Sequence, residues 1–308
     1  MPISSNPILL CVGDIDMDII VRVARPPGPD QKADGQRVAQ TPGGMAANVA
    51  VGARRLGTSV RLAGAVGDDA LGREALDALQ TEGLDLSHVT IRQGVPTFFC
   101  MIMVDDGGEK SLVKVLSDAY LPRPEDLTPT TFSGVAHVHL TFTNPALARC
   151  AMFLARQAGA ALSLDLEAAD LPADPAPVVE LLQAVDLLFI NRDSRAEVER
   201  RIGSLPLRDN ATVITTLGAE GARLEAGSIH HKVEGHRIRL TDTSGAGDAF
   251  AGAFLHAQLS GAEGADALRF ANAAAALSTA AFGAQAGLPR RAEVETFLRA
   301  AGEAVHRA

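Results

Sequence analysis

The chain has 308 residues, of which 47% are hydrophobic and 21% charged, and its formal net charge is -9. This argues against a disordered chain and a nucleic-acid surface, leaves open a local basic pocket for a phosphorylated ligand, and gives enough length to bury the core of one large domain, alone or with a small appendage. Cys11, Cys100 and Cys150 are too scattered for a disulfide framework or a C-x-x-C zinc site, and the longest apolar stretch, residues 273–282, is too short to cross a membrane. A cytoplasmic protein with no nucleic-acid or membrane partner is expected.

Residues 8–12 form an apolar run ending at Gly13, as expected of a buried parallel strand whose carboxyl end opens on a site. In the following G-D-I-D-M-D, Asp14, Asp16 and Asp18 share one face if the chain is extended. The three carboxylates suit a metal, a solvated strand edge or, the preferred reading, the hydroxyls of a polyol. The Gly and distal Glu of an EF-hand loop are missing.

From Ile19, two short β-rich segments flank a polar Pro/Gly stretch at 26–35, and a second pair, 97–104 and 111–116, flanks D-D-G-G-E. These four strands predict a small separate sheet, a lid over 16–42 and 95–119 whose apolar residues suit a dimer surface. The catalytic body is then 1–15, 43–94 and 120–308.

Between the two pairs, small residues at helical spacing predict a helix over 43–57, with Asn48 as its polar exception. A strand over 60–66 and a helix through Gln80 follow. Strands at 135–140, 161–166, 187–191 and 213–216 alternate with helices at 145–158 and 178–185 and an Arg/Glu-rich helix through Arg201. This alternation predicts a three-layer α/β/α core on a mostly parallel sheet. His137 and His139 share a strand face, where packing is preferred over a metal site because no third ligand is evident. Two hairpin-like segments are expected next, then helices over 265–281 and 292–306.

Before those two helices, residues 241–253 read T-D-T-S-G-A-G-D-A-F-A-G-A. Gly245 and Gly247 allow successive N–H groups to face one concavity at the start of a helix, which makes an anion site. Asp248 is either a helix-start carboxylate complementing the dipole or a general base beside a phosphate cradle. A Walker loop, a dinucleotide fingerprint, the protein-kinase motifs, a G-x-S-x-G elbow and H-E-x-x-H are all missing.

Six segments occur in order over nearly the whole chain: G-D-I-D-M-D, G-G-M-A-A-N from Gly43, V-G-D-D-A-L-G from Val66, T-T-L-G-A-E-G from Thr215, D-T-S-G-A-G-D-A-F from Asp242 and G-A-Q-A-G-L-P from Gly283. Together they resemble the signatures of the ribokinase-like (PfkB-type) carbohydrate kinase family. The resemblance implies transfer of the γ-phosphoryl group of ATP, with Mg2+, to a hydroxyl of a small sugar. Asp248 would be the catalytic base, and Gly245, Ala246 and Gly247 the anion hole. Asp16, Asp18, Gly43, Gly44 and Asn48 would join Asp248 around the acceptor. Asn191, Thr216, Gly218, Gly221 and Asn272 would join Gly245 and Gly247 around the nucleotide. A monovalent cation, K+, would lie among Asp242, Ser244, Ser278, Ala281 and Gly283, and a homodimer would form through the lid.

The chain also departs from the family pattern. Met45 stands for a lysine of ribokinases, Thr143 for a sugar-holding glutamate and Asp16 for an asparagine. Ser194 stands for the glutamate of N-x-x-E, with Glu197 as a candidate substitute. Two alternatives stand beside the sugar kinase: a nucleoside kinase in which Phe98 or Phe99 stacks on a base, and a non-catalytic sugar or nucleotide sensor.

Overall fold

The first strand, β1 (Ile8–Val12), is apolar throughout because both its faces are covered: Leu9 and Cys11 belong to one hydrophobic core, Leu10 and Val12 to another. The computed structural model describes residues 7–302 except 108 and 143. After β1 come β2 (Asp16–Val23), β3 (Gly35–Gly43), α1 (Met45–Leu56), β4 (Ser59–Ala63), β5 (Ala65–Gly67), α2 (Ala70–Thr81), β6 (Thr90–Arg92), β7 (Phe99–Val104) and β8 (Lys110–Val115). The chain continues with β9 (Val135–Leu140), α3 (Pro145–Ala158), β10 (Ala161–Leu166), α4 (Ala176–Leu182), β11 (Leu187–Asn191), α5 (Arg192–Ile202) and β12 (Thr212–Thr216). It ends with β13 (Ala222–Ala226), β14 (Ile229–Val233), α6 (Ala246–Leu259), α7 (Gly264–Ser278) and α8 (Arg291–Ala300).

The main sheet has the order β14-β13-β12-β11-β10-β9-β1-β4, parallel from β12 to β4 with an antiparallel hairpin at the other edge. Apolar residues of α1, α6, α7 and α8 fill the core on one face, and those of α3, α4 and α5 the core on the other. This is the expected three-layer arrangement. The strand order reverses at β1, so the crevice beyond its carboxyl end is a natural ligand position. A second sheet, β3-β2-β7-β8, stands apart from the first. Its register puts Asp18, Cys100 and Lys114 on one face and Ile19, Met101 and Val113 on the other, where Met101 and Val113 are exposed.

Helices α1 and α6 meet through small residues. A Cβ at Gly252 would sit 2.8 Å from the Val49 carbonyl oxygen, so the two backbones are nearly in contact. That closeness carries the first turns of both helices to the same cleft.

Four expectations need correction. The segment 60–66 is not one strand: at Gly64 a side chain would strike Ile15, and the chain leaves the main sheet there to pair as β5 with β6. Between β12 and α6 one hairpin, β13–β14, forms where two were expected; residues 234–240 run irregularly, with the Glu234 carbonyl taken by the Asn272 side chain. Helix α7 stops at Ser278 because the Thr279 carbonyl accepts from the N–H groups of Thr241 and Asp242 instead. Helix α8 ends at Ala300, and the expected extension to 306 falls partly on 303–308, outside the described residues.

Candidate active site

Strand ends of the parallel sheet converge on two adjoining clefts, of about 400 and 610 Å³, which share Thr216, Thr243, Ala246, Gly247 and Phe250. The glycine turn is therefore the partition between them. Asp16, Asp18, Gly44, Asn48 and Asp248 line the smaller cleft, and Gly218, Gly221 and Asn272 the larger. Of the residues expected around a nucleotide, Gly218, Gly221 and Asn272 thus lie beyond Ala246 and Gly247 and Thr216 borders both clefts, whereas Asn191 and Gly245 line only the smaller cleft, and Gly43, expected at the acceptor, lines neither.

Gly245 has φ +70°, a left-handed conformation costly for a side-chained residue, and a Cβ on it would press on Ala284 at 2.8 Å. Helix α6 starts at the next residue, and no side chain caps it. Asp248, 7% exposed, lies in the first turn of α6. Its carboxylate accepts from Asn48 Nδ2 at 2.8 Å, and Asn48 Oδ1 accepts in turn from Gln285 Nε2 at 3.0 Å. Burial pushes the Asp248 carboxyl well above its ordinary range, the Asn48 amide opposes this, and the charges of Asp165, Asp14 and Glu167 add to the rise. A carboxylate in this position is poised to take a proton.

At the acceptor end only Asp16 and Asp18 lie on β2. Asp14 serves elsewhere: its oxygens accept from the N–H groups of Met45 (3.1 Å) and Ala46 (3.2 Å), which holds the start of α1 to the end of β1. The expectation that all three carboxylates share one strand face is corrected accordingly. Asp16 is 4% exposed; its Oδ2 accepts from Cys100 Sγ at 3.3 Å, and its buried Oδ1 has no partner among the described residues. Gly43 is paired with Asp16 across the sheet, and a side chain there would collide with the Asp16 and Asp18 carboxylates. Burial and mutual repulsion raise Asp16 well above the carboxylate range. Burial, then repulsion from Asp242, brings Asp18 to about 6. Asp16, Asp18 and Cys100 are close enough to share an ion, but burial pushes the Cys100 thiol far up, and a protonated thiol is a poor ligand. An open oxygen on a buried carboxylate suits a hydroxyl donor better.

On the nucleotide side, Thr216 ends β12, and Gly218 and Gly221 follow with φ +60° and +96°. Asn272 Nδ2 holds the Glu234 carbonyl at 2.9 Å, which fixes the irregular segment beside the larger cleft. Asn191 lines the smaller cleft while its Oδ1 caps α5 through the Ser194 N–H at 2.8 Å. Ser194 is buried and its Oγ accepts from the Ala168 N–H; Glu197, the candidate substitute for the missing glutamate, pairs with Arg200 and lines neither cleft.

Asp165 and Glu167, at the end of β10, line the cleft instead. Burial, then the charges of Glu167 and Asp170, raises Asp165 to about 7. Sequence reasoning missed this pair. Its signal was an L-D-L-E at the carboxyl end of a parallel strand, where ligands of open α/β sheets bind. Lys114, also missed, brings a positive charge from the small sheet to the same cleft.

The expected cation ligands are partly engaged already. Lys110 Nζ pairs with Asp242 and donates to Ser244 Oγ at 2.8 Å. Gly283 offers its N–H to Asp242 at 3.0 Å, Ser278 Oγ donates back to the Ala275 carbonyl, and Ala281 lies in the turn after α7. His137 and His139 both bond the Ser163 hydroxyl, at 2.7 and 2.8 Å, in keeping with packing. Phe98 is buried edge-on against Tyr120 at 4.7 Å, while Phe99 packs on the main core. Met45 lines the smaller cleft, and Thr143 lies outside the described residues.

Residues 7–291 match the pfkB family carbohydrate kinase profile. The chain is 32% identical over 294 residues to the ATP-dependent ribose-1-phosphate kinase of Halopiger xanaduensis, with 94% of this chain and 97% of that protein covered. It is 30% identical over 304 residues to the ribokinase of Bacillus subtilis, covering 94% and 99%. Among solved structures, the Arabidopsis thaliana ribokinase complexed with ribose and ATP superposes with a TM-score of 0.82 at 25% identity, covering 96% of this chain and 99% of that one.

Proposed function

The chain belongs to the pfkB carbohydrate kinase family and is a sugar kinase, and from this we propose that it transfers the γ-phosphoryl group of ATP to a hydroxyl of an uncharged sugar with Asp248 as the base. The acceptor occupies the smaller cleft and ATP the larger. Asp16 and Asp18 accept hydrogen bonds from two acceptor hydroxyls, filling the open oxygen of Asp16 and aiming a third hydroxyl at Asp248. Asp248 takes the proton from that hydroxyl as its oxygen attacks the γ-phosphorus in line, and the bond to the bridging oxygen of ADP breaks on the far side. The N–H groups of Gly245, Ala246 and Gly247 face the charge spread over the transferred group.

Asp165, Glu167 and Asn191 supply the hard oxygen donors that suit Mg2+, and they line the cleft beside the turn. They would hold the ion, which supplies charge neutralisation of the phosphates when bound. An uncharged acceptor is supported by the acceptor end of the lining, where Asp14, Asp16 and Asp18 stand with Lys114 as the one cation among the described lining residues. A sugar phosphate would meet net repulsion there.

The single observation that carries the reading is the meeting of both clefts at the Gly247–Asp248 step. Its test is ADP formation measured across neutral pentoses and hexoses, sugar phosphates and nucleosides. Turnover confined to sugar phosphates would overturn the uncharged acceptor. Binding of sugars or nucleotides without ADP formation with any acceptor would favour the sensor. Phe98 borders the smaller cleft, but it is packed edge-on with Tyr120 and only 1% exposed, which disfavours a ring stacked on a nucleoside base. The lid's outer face, with Met101, Val113 and Val115 exposed, supports a homodimer through that sheet, in the cytoplasm where ATP and Mg2+ are abundant.

A further inference from the structure

Strand alternation puts Lys110, Leu112 and Lys114 of β8 on one face of the small sheet, and Leu112 and Lys114 line the acceptor cleft. Lys110 reaches past them to the segment that leads into the glycine turn. Its ammonium pairs with the Asp242 carboxylate and donates to Ser244 Oγ at 2.8 Å.

Asp242 is the junction of three segments. It is 5% exposed; one oxygen accepts from the Ser244 N–H at 2.8 Å and the other from the Gly283 N–H at 3.0 Å, while its own N–H donates to the Thr279 carbonyl. Burial opposes its ionisation, but the Lys110 ammonium and the two N–H groups outweigh that and hold the carboxyl down to about 2.

Asp242 and Ser244 are also the side chains through which a free monovalent cation would be held. Both already contact a tethered cation, and Gly283 presents a donor rather than an acceptor to the same carboxylate. A potassium ion added there would stand against the ammonium on one carboxylate, and like charges at a few ångströms repel. The residues present do not fit a diffusible cation.

We propose that the Lys110 ammonium is this protein's built-in cation for the Asp242–Ser244 segment, so that the kinase is independent of potassium and the 245–247 turn is set only when β8 of the lid is docked. Lys110 is a positioning residue, acting through Asp242 and Ser244 on the N–H groups that follow. The inference rests on the reading of that turn as the phosphoryl cradle.

The test compares KCl with choline chloride at equal ionic strength, for wild type, Lys110→Met and Lys110→Arg. Wild-type kcat is expected to agree within about twofold in the two salts, whereas Lys110→Met loses about 10²-fold in kcat in choline, the scale of a disturbed anion hole, with a much smaller change in acceptor KM. Potassium or ammonium ions then restore at least about tenfold of that loss, and Lys110→Arg keeps most of the activity. Without substrates, KCl raises the Tm of Lys110→Met over its value in choline but leaves wild type unmoved, because only the variant has a vacant cation position. Potassium activation of wild type by about fivefold or more, or a potassium-dependent rise in wild-type Tm, would overturn the proposal. So would full activity of Lys110→Met in choline. If Lys110→Met does not fold, the wild-type arms decide alone. If no acceptor is phosphorylated, the kinase reading of the cleft fails, while the Tm arms still decide the role of Lys110.

Discussion

Asp248 has few neighbours that could share its charge, and that sets what its replacement does. It is buried and held by a single amide from Asn48, so its proton affinity is set mainly by burial. Asp248→Asn keeps the shape and removes the base; kcat is expected to fall by about 10² to 10⁴, with the KM for ATP little changed, in steady-state assays. The direction of the shift also fixes a pH dependence. A base whose pKa is raised loses activity on acidification earlier than an ordinary carboxylate with a pKa of about 4 would. The acid limb of kcat/KM should therefore lie above that value in wild type and be missing from the residual activity of Asp248→Asn. Gly43 tests the acceptor end. A methyl group there meets the Asp16 and Asp18 carboxylates, so Gly43→Ala should raise the acceptor KM by about tenfold or more, through a steric cost of about 1.4 kcal/mol or more. ATP binding, followed by calorimetry, should stay near wild type.

At the scale of elements, the pairing of α1 with α6 makes the site. Small residues bring the helices together, and the first turn of each then contributes one member of the Asn48–Asp248 pair. Edge strand β8 has two faces with different tasks: Lys114 looks into the cleft, while Val113, 49% exposed, faces outward on the unpaired margin of the small sheet. An exposed apolar edge invites pairing, and a charge on it opposes pairing. Val113→Lys is expected to convert a wild-type dimer to a monomer in sedimentation velocity without changing the Tm by more than a few degrees. A wild type that sediments as a monomer at all concentrations would end the dimer reading.

For the whole molecule, two sets of buried groups give opposite pH dependences of stability. His137 and His256 are lowered to about 4 and His139 to about 3, chiefly by burial, so the unfolded chain binds their protons first and their contribution to stability falls as pH drops below about 6.5. The raised carboxylates act the other way. Asp18 at about 6, Asp165 at about 7, and Asp16 and Asp248, both raised well above the carboxylate range by burial, keep protons that the unfolded chain has lost above about 4, so each costs stability as pH rises towards its folded pKa. Between about 4 and 6.5 the two sets oppose each other; above that only the carboxylates remain. The ligand-free protein should therefore lose Tm from pH 6.5 to pH 8, and Asp165→Asn should raise Tm more at pH 8 than at pH 6, as read by scanning calorimetry. A Tm that climbs through this range would show that these carboxylates are solvated.

Local pattern was enough for much of this molecule. The unbroken apolar run of β1 means burial on two faces, the alternation of strands and helices means a parallel sheet, and glycines before a helix start mean an anion turn; each is written within a few residues because backbone geometry and side-chain period are local properties. The order of the six motifs likewise fixed the family. What the sequence could not express was which polar groups meet. Asn48 and Asp248 are 200 residues apart and Lys110 and Asp242 are 132 apart, and neither pairing leaves a periodic trace. The three aspartates after β1 look equivalent in sequence and all three line the cleft, yet Asp14 alone has its oxygens taken by the N–H groups at the start of α1. The Asp165–Glu167 pair had only its strand-end position to mark it. Tertiary packing decided these because a polar side chain's role depends on its buried partners, and those partners come from wherever the fold brings backbones together.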